Sequence, residues 1–250
     1  MRLAVIIPAY NEAELLPQLF ERVMRTPAPI DPVTDMRVER RIVLIDDGSS
    51  DGTADVVKTL GEHPDVLVVL HKRNTGKGAA LRSGFRAALQ DGADVILVQD
   101  ADLEYDPADH DAVLAPILDG RADVVIGSRF IGQTHRVLYY WHSVANRGIT
   151  TLSNALTNLN LTDIECCFKA FSREVVDRLE LRENRFGVEP ELVARVSRMK
   201  LPTAEGGART TRVFEVAVSY AGRTYDEGKK ITWRDGFSAV RAIIEHNLLR

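Results

Sequence analysis

The sequence VILVQDAD, residues 95–102, joins a short apolar run to a pair of carboxylates. Four consecutive apolar residues before a polar segment are typical of a strand that is buried on both faces. Similar apolar runs occur at residues 3–7, 42–45, 66–70 and 124–126. The sequence therefore predicts five short buried strands, as in a parallel sheet that is covered on both sides.

Helical patterns lie between these strands. Apolar residues recur at helical spacing in segments 16–23, 56–60, 81–89 and 113–118. Pro17 fits near the start of the first helix, and Asp106-Pro107 has the residue types of an N-cap and a first helical position for the fourth. This alternation of strands and helices predicts an α/β fold, with a mostly parallel sheet and helices on both of its faces.

The alternation ends after Arg129. The pattern then predicts a long helix over about 138–159, a mixed region, a helix near 189–198, a strand at 213–220 and a final helix over about 233–249. We expect one domain, residues 1–250, whose two parts, 1–130 and 131–250, share one sheet.

The composition is that of an ordinary globular protein, since 45% of the 250 residues are hydrophobic and 27% are charged. The net charge of -4 gives no reason to expect nucleic-acid binding. The two cysteines, Cys166 and Cys167, are adjacent, which disfavours both a disulfide and a zinc site. Without a signal peptide or an apolar run near the ~20 residues of a membrane span, we expect a cytoplasmic protein, free or peripheral at the inner face of the membrane.

Polar segments follow all five predicted strands. They comprise residues 8–12, 46–53, 73–78, 99–102 and 127–129. In open α/β sheets, ligands bind outside the carboxyl ends of the strands, so these segments are expected to face one crevice. The convergence of five such loops is a more specific signal than any one motif among them.

Asp100 and Asp102 lie two residues apart at the end of the fourth strand. Two such carboxylates can share Mg²⁺ or Mn²⁺, and the ion then neutralises charge that develops on a leaving diphosphate. An Asp-x-Asp sequence also occurs by chance in acidic loops. The metal-site prediction therefore depends on the neighbouring loops.

Two further loops suit a nucleotide. Asp46 or Asp47 can accept hydrogen bonds from a base or a ribose, while Asp51 suits the N-cap of the helix that follows. Lys77 lies between two glycines at a helix start, where backbone amides and an ammonium group suit a phosphate. Each segment taken alone also fits an ordinary turn before a helix.

Five motifs occur in order between residues 5 and 130: VIIPAYNE, IDDGSSDGT, NTGKGAALRSG, QDADLEYDP and GSRF. Through them the sequence resembles the family 2 glycosyltransferases of GT-A fold, and within that family the dolichyl- or polyprenyl-phosphate sugar synthases. The likeness spans about residues 3–130. Beyond that it is looser and rests on segments 163–169, 186–191 and 223–230.

The resemblance implies that residues 1–130 hold a nucleotide-sugar donor. Asp46 or Asp47 would hold the base or ribose, and Lys77 would lie near the diphosphate. Mg²⁺ or Mn²⁺ would be bound by Asp100, Asp102 and Glu104, the last standing where relatives often have a glutamine. The other residues implied to line the donor pocket are Pro8, Ala9, Tyr10, Glu12 and Ala101.

The resemblance also implies that residues 131–250 form the acceptor side. Arg129 would face an acceptor phosphate, while Arg223 and Lys229 would lie on a late loop that clamps the diphosphate or the acceptor. The sequence departs from the family pattern at two places. Cys166-Cys167-Phe168 stands where relatives usually have Ser-Gly-Phe, and the late loop lacks its usual glycine and serine. Both departures affect the acceptor side.

Two kinds of acceptor stay open. A polyprenyl phosphate is already an anionic nucleophile and needs cationic partners such as Arg129. A hydroxyl group on a small molecule, lipid or polysaccharide needs a general base, for which Asp163 and Glu165 are the candidates. The predicted catalytic residues are therefore Asp102, Arg129, Asp163 and Glu165. A UDP-sugar is the favoured donor, with GDP-mannose as the alternative. A nucleotidyltransferase-like protein is disfavoured, because the Gly-rich activating loop of that class is missing.

Two apolar segments suggest further partners. Tyr139, Tyr140 and Trp141 suit a membrane interface, or a core that covers the sheet, which is the simpler reading. The amphipathic stripe of residues 233–248 suits packing on the domain, on a second copy in a homodimer, or on lipid. A peripheral membrane contact, a membrane-protein partner and a homodimer are therefore all compatible with the sequence.

Overall fold

The computed structural model describes residues 1–132, 136–137, 139–224 and 233–249. The first part contains β1 (Arg2–Ala9), α1 (Leu15–Arg25), β2 (Glu39–Asp46), α2 (Thr53–Leu60), β3 (Val66–Leu70), α3 (Lys77–Gln90), β4 (Val95–Val98), α4 (His110–Leu118) and β5 (Val124–Ser128). The second part contains α5 (Tyr140–Thr157), β6 (Lys169–Ser172), α6 (Arg173–Arg178), α7 (Val188–Arg198), β7 (Lys200–Pro202), β8 (Ala208–Thr210), β9 (Val213–Ala217) and α8 (Trp233–Ile244). The five strands and four helices predicted before residue 130 are confirmed.

Seven strands form one sheet in the order β3-β2-β1-β4-β6-β5-β9. All neighbouring pairs are parallel except the two that involve β6, which runs antiparallel to both β4 and β5. The predicted α/β fold with a mostly parallel sheet is therefore confirmed. A separate two-stranded antiparallel ribbon is formed by β7 and β8.

The region of β6 is predicted only as mixed structure, and this strand contributes directly to the site. β6 has only four residues and begins with a lysine, so it lacks the apolar run of the other inner strands. Lys169 pairs with Val98 in β4 and with Ile126 in β5. Because β6 is antiparallel, its first residue lies at the carboxyl ends of its neighbours. The segment that precedes it, residues 163–168, is thereby brought to the same edge as the loops after β4 and β5.

The sheet carries a buried apolar layer on each face. One layer packs α1, α2 and α4 on the sheet through residues such as Leu19, Val57 and Leu114. The other packs α3, α6 and α7 through residues such as Phe85 and Leu192. Full burial of each such side chain stabilises the fold by about 1.5–3 kcal/mol relative to exposure. The helices thus cover both faces, as predicted, and leave the carboxyl edge of the sheet for the loops.

The second part differs from its prediction in detail. The strand predicted at 213–220 is β9, which ends at Ala217, and the last predicted helix passes into a π-helical turn at Glu245. Tyr140 and Trp141 are 69% and 75% exposed, so the expectation that they belong to the core is wrong. Among the residues that the model describes, none of the helices combines the length and the apolar character needed to cross a bilayer.

Candidate active site

The loops after β1, β2 and β4 meet at the carboxyl edge of the sheet. The loop after β1 is tied to the one after β2, because Asn11 N–H donates to Ser49 Oγ at 3.0 Å and Ser50 N–H donates to Asn11 Oδ1 at 2.9 Å. Asp51 accepts from Ala13 N at 3.1 Å and from Thr53 N, the first amide of α2, at 3.0 Å. Pro8 and Ala9 end β1 within this framework. Tyr10, 39% exposed, follows directly on the open side.

The two aspartates after β2 have different partners. Both oxygens of Asp47 are engaged: Gly76 N–H donates at 2.7 Å, Thr75 Oγ1 donates at 2.7 Å and His71 Nδ1 lies at 2.7 Å. Asp47 therefore holds the loop before α3 in place. The Asp46 carboxylate accepts from Ser49 N–H at 3.2 Å. Of the two predicted ligands for the base or ribose, Asp46 has more acceptor capacity left.

A glycine allows these two loops to approach each other. Gly48 has a φ of +69°, and a Cβ atom at this position would lie 2.3 Å from the backbone carbonyl carbon of Arg73. Any other residue would strain the turn and push away the loop that Asp47 anchors.

Lys77 begins α3 and points toward the end of β4. Its ammonium nitrogen lies 2.9 Å from Asp100 Oδ1, 3.0 Å from Glu189 Oε1 and 2.9 Å from Cys167 Sγ. Burial by itself would lower the pKa of Lys77, but Asp100, Cys167 and Glu189 together raise it well above its ordinary value. Lys77 therefore stays cationic beside the predicted metal site, where it can face phosphate oxygens.

Glu189 was not among the predicted site residues. It lies on the first turn of α7, is 3% exposed and also binds the buried Lys169 of β6. A carboxylate between Val188 and Pro190, at the start of an apolar helix face, was the signal in the sequence. Only the packing of α7 against α3 and β6 places it next to Lys77.

Asp102 and Glu104 meet Arg223 from the second part of the chain. Arg223 Nη2 lies 3.1 Å from Asp102 Oδ2 and 3.5 Å from Glu12 Oε1, and Arg223 Nε lies 3.6 Å from Glu104 Oε1. Glu104 also accepts from Tyr220 Oη at 3.0 Å and from Arg223 N–H at 2.8 Å. Glu104 therefore anchors the segment that carries Arg223.

Burial and the neighbouring carboxylates raise the pKa of Asp102 above its ordinary value. Burial raises this pKa most, Asp100 and Glu104 raise it further, and Arg223 opposes them, which leaves it at about 7. Because the ionised form of Asp102 is disfavoured here, a cation bound nearby would stabilise the site.

The residues fit a divalent ion that completes its coordination with ligand oxygens. Asp100 and Asp102 are partly exposed, with 17% and 19% of their side-chain surface accessible. In the described part of the chain, no three acidic, histidine or cysteine side chains converge into a ready metal cage. A pair of carboxylates suits Mg²⁺ or Mn²⁺, which commonly take one or two carboxylates together with phosphate oxygens and water. Glu104, the third predicted ligand, accepts hydrogen bonds from Tyr220 Oη and from Arg223 N–H.

Arg129 and Asp163 form a buried two-point ion pair. Arg129 Nε lies 2.6 Å from Asp163 Oδ2, and Arg129 Nη2 lies 2.9 Å from Oδ1. Asn146 Nδ2 adds a donor to the same carboxylate, and Arg129 lies over the Tyr220 ring at 5.0 Å. Burial raises the pKa of Asp163, but Arg129 and its hydrogen bonds outweigh burial and keep this pKa below its ordinary value. Such a carboxylate is a weak base, and it positions Arg129.

Glu165 has the opposite environment. Burial and the nearby Glu189 raise the pKa of Glu165 to about 7, against the weaker effects of Lys169 and Arg129. Its Oε1 atom is buried and has no hydrogen-bond partner among the described residues. Of the two predicted bases, Glu165 has the unpaired oxygen and the near-neutral pKa that base catalysis needs. The remaining predicted site residue, Lys229, lies outside the described residues.

Comparisons with known proteins show which family the sequence matches. The model of the family described as glycosyl transferase family 2 matches residues 4–180. The chain is 33% identical over 183 residues to the polyprenol monophosphomannose synthase of Mycolicibacterium smegmatis, covering 72% of this chain and 65% of that protein. It is 28% identical over 230 residues to an undecaprenyl-phosphate 4-deoxy-4-formamido-L-arabinose transferase of Proteus mirabilis, covering 91% of this chain and 62% of that protein. The chain thus spans somewhat less than two thirds of these two relatives.

A solved structure supports the fold. The glucosyl-3-phosphoglycerate synthase of Mycobacterium tuberculosis, in complex with Mn²⁺, UDP and phosphoglyceric acid, superposes with a TM-score of 0.69 at 18% identity, over 100% of this chain and 79% of that chain. At this identity the likeness confirms the GT-A fold alone. The family match covers well over half of the sequence and includes the loops after β1, β2 and β4. The chain therefore belongs to glycosyl transferase family 2.

Proposed function

We propose that this protein is an inverting glycosyltransferase that moves a sugar from a nucleotide-diphosphate donor to a polyprenyl-phosphate acceptor with the help of Mg²⁺ or Mn²⁺. The observation that carries the proposal is the cluster at the end of β4. There Lys77 lies 2.9 Å from Asp100, and Arg223 lies 3.1 Å from Asp102. Two neighbouring carboxylates with two cations beside them suit a metal ion and a diphosphate better than any apolar ligand.

The donor side follows from the positions of these residues. Asp46 would accept from the base or the ribose, and Lys77 would face the diphosphate from the start of α3. When bound, the ion would be held by Asp100 and Asp102 and would neutralise charge on the departing diphosphate. A UDP-sugar is the favoured donor and GDP-mannose the alternative.

Two observations support a polyprenyl-phosphate acceptor: the names of the relatives and the position of Arg129. Two relatives whose names describe undecaprenyl-phosphate sugar transferases align over 91% and 92% of this chain. An acceptor phosphate needs no general base and would approach the one edge of the Arg129 guanidinium that Asp163 does not cover. The fixed two-point contact with Asp163 would aim that edge at the phosphate.

A hydroxyl acceptor is the second candidate. The observation that favours it is Glu165, whose unpaired buried oxygen and near-neutral pKa suit a base that removes the proton of an alcohol. In an enzyme with a phosphate acceptor, Glu165 would instead accept hydrogen bonds from hydroxyl groups of the donor sugar.

Calorimetry and turnover assays test these proposals. UDP-glucose and GDP-mannose would be titrated with and without Mn²⁺, and the tighter donor would be assayed with a short polyprenyl phosphate and with the matching polyprenol. If product forms with the polyprenyl phosphate but not with the polyprenol, the first proposal is supported. If equal product forms without any lipid phosphate, the first proposal is contradicted. Release of pyrophosphate rather than a nucleoside diphosphate would contradict glycosyl transfer itself.

We also propose that the protein works as a peripheral protein at the inner face of a membrane. Tyr140, Trp141 and Phe237 are each at least 69% exposed. Flotation with vesicles of anionic lipid tests this proposal, with Trp141→Ala as the variant that should bind more weakly. A membrane-protein partner or a homodimer would instead cover this surface, and light scattering distinguishes the homodimer.

A further inference from the structure

The Arg223 guanidinium lies among carboxylates that belong to the predicted donor site. Its nitrogens lie within 3.6 Å of oxygens of Asp102, Glu12 and Glu104, and the side chain is 16% exposed. These carboxylates come from the loops after β1 and β4, about 120 to 210 residues away in sequence from Arg223. A long-range contact of this kind depends on the tertiary fold.

The backbone around Arg223 holds the guanidinium in this place. Arg223 N–H donates to Glu104 Oε1 at 2.8 Å, and Ala221 N–H donates to the Glu104 carbonyl oxygen at 2.9 Å. Tyr220 Oη donates to the same side chain at 3.0 Å, and Ser219 N–H donates to Asp109 Oδ2 at 2.7 Å. The segment 219–223 is thus fastened to the loop after β4, with Arg223 directed at Asp102.

Each carboxylate of the Asp-x-Asp pair is therefore already matched with a side-chain cation. Lys77 is bound to Asp100, and Arg223 is bound to Asp102. A divalent ion that approached alone would compete with the guanidinium for Asp102 in a partly buried site, where ion pairs are stronger than in open water. A diphosphate would change this balance, because its oxygens are good acceptors for an arginine.

We propose that Arg223 couples metal binding to donor binding: it pairs with Asp102 in the absence of donor, and the donor diphosphate draws it away and frees Asp102 for the ion. The inference rests on the proposed donor site. On this inference Arg223 acts by controlling when Asp102 is available to the ion. It therefore weakens binding of the ion in the absence of donor. By linkage, the ion must strengthen nucleotide binding by the same factor as the nucleotide strengthens ion binding.

Titration of Mn²⁺, followed by the electron paramagnetic resonance signal of the free ion, tests the inference. The wild type should bind Mn²⁺ weakly alone and about tenfold or more tightly with UDP, within the usual range of coupling between sites. Arg223→Gln should bind Mn²⁺ alone about tenfold more tightly than the wild type and should gain much less from UDP. Arg223→Lys, which keeps the charge, should lie between them.

Two controls separate the possible failures. Arg121→Gln removes an arginine that pairs with Asp119 at the surface, and it should match the wild type. Asp102→Ala should bind Mn²⁺ only weakly, both with and without UDP. If the wild type and Arg223→Gln bind Mn²⁺ equally well without UDP, or if UDP leaves the Mn²⁺ affinity of the wild type unchanged, the inference is overturned. If the wild type does not bind Mn²⁺ even with UDP, the proposed donor site fails instead.

Discussion

At the scale of single residues, the site is a set of charges whose partners define their roles. Asp46 and Asp47 are adjacent, yet they differ in their partners. Both oxygens of Asp47 accept hydrogen bonds from the loop before α3, whereas Asp46 can accept further hydrogen bonds. Asp163 and Glu165 are also near neighbours. Asp163 is neutralised by Arg129, while Glu165 keeps an unpaired oxygen. The residue types make all four carboxylates candidates for a role in the site. Their hydrogen-bond partners show that the two members of each pair have different roles.

Asp102→Ala is expected to abolish metal-dependent donor binding while the fold survives. The substitution removes one of the two carboxylates available for the ion, and it relieves the crowding of negative charge that raises the pKa of Asp102. Calorimetry with Mn²⁺ and a UDP-sugar measures the binding, and the thermal midpoint checks the fold. Turnover equal to that of the wild type would rule out the proposed role of Asp102.

Glu165→Gln is expected to separate the two acceptor classes. The base form of Glu165 grows as the pH rises through about 7. With a hydroxyl acceptor, turnover should therefore rise over this range and level off above about pH 8, and the variant should lose about 10²–10⁴-fold in kcat along with that rise. With a polyprenyl phosphate the variant should keep the pH profile of the wild type. Donor affinity, measured by calorimetry, should be unchanged if Glu165 is the base and should fall if Glu165 binds the sugar hydroxyls.

At the scale of secondary-structure elements, short strands are held by charged contacts as much as by apolar packing. Asp123, just before β5, accepts from Arg209 of β8 at 2.8 Å and from Arg212, just before β9, at 2.9 Å. Arg212 N–H adds a third contact at 2.7 Å. One buried carboxylate thus ties the β7–β8 ribbon and the edge strand β9 to the sheet.

Asp123→Asn is expected to lower the free energy of unfolding at neutral pH by about 1–2 kcal/mol, since its arginine partners are partly exposed. Burial raises the pKa of Asp123, but the two arginines outweigh burial and hold this pKa well below its ordinary value. The stabilisation is therefore complete above the ordinary aspartate pKa of about 4, and it is lost as the pH falls below that value. Urea unfolding at several pH values measures both effects.

The matched control is Asp119→Asn, which disrupts a local pair with Arg121 at the surface. Its urea midpoint should stay close to that of the wild type. An Asp123→Asn protein that loses stability with acid as steeply as the wild type would contradict the assignment to Asp123.

At the scale of the whole molecule, the two apolar layers bury both faces of the sheet, and the loops at its carboxyl edge build the site. Phe85 of α3 packs edge-on against Phe171 of β6, with ring centroids 5.8 Å apart. The same helix begins with Lys77, and the same strand begins with Lys169. Packing in the middle of the molecule therefore sets the position of two site cations.

Phe85→Ala is expected to lower the free energy of unfolding by about 3–5 kcal/mol, because it leaves a cavity between α3 and β6. Trp141→Ala, at an exposed position, should change this free energy by less than about 0.5 kcal/mol. Denaturant unfolding of both variants measures the difference. A comparable loss in the two variants would contradict the burial of Phe85 and the exposure of Trp141.

The sequence by itself determined the alternation of strands and helices before residue 130 and the order of the polar loops. These features depend on apolar periodicity and capping residues, which involve near neighbours in the chain. The position of Asp100-Ala101-Asp102 at a strand end followed from the same local pattern. The match to glycosyl transferase family 2 over residues 4–180 confirms the family that these motifs predicted.

Only the tertiary structure decided which charges meet. The antiparallel insertion of β6, the Arg129–Asp163 pair, the contact of Glu189 with Lys77 and the contact of Arg223 with Asp102 join residues that are remote in sequence. Such pairings depend on how helices and strands pack, and no local periodicity encodes them. Exposure of Tyr140 and Trp141 has the same cause, since an apolar side chain is buried only where another element covers it.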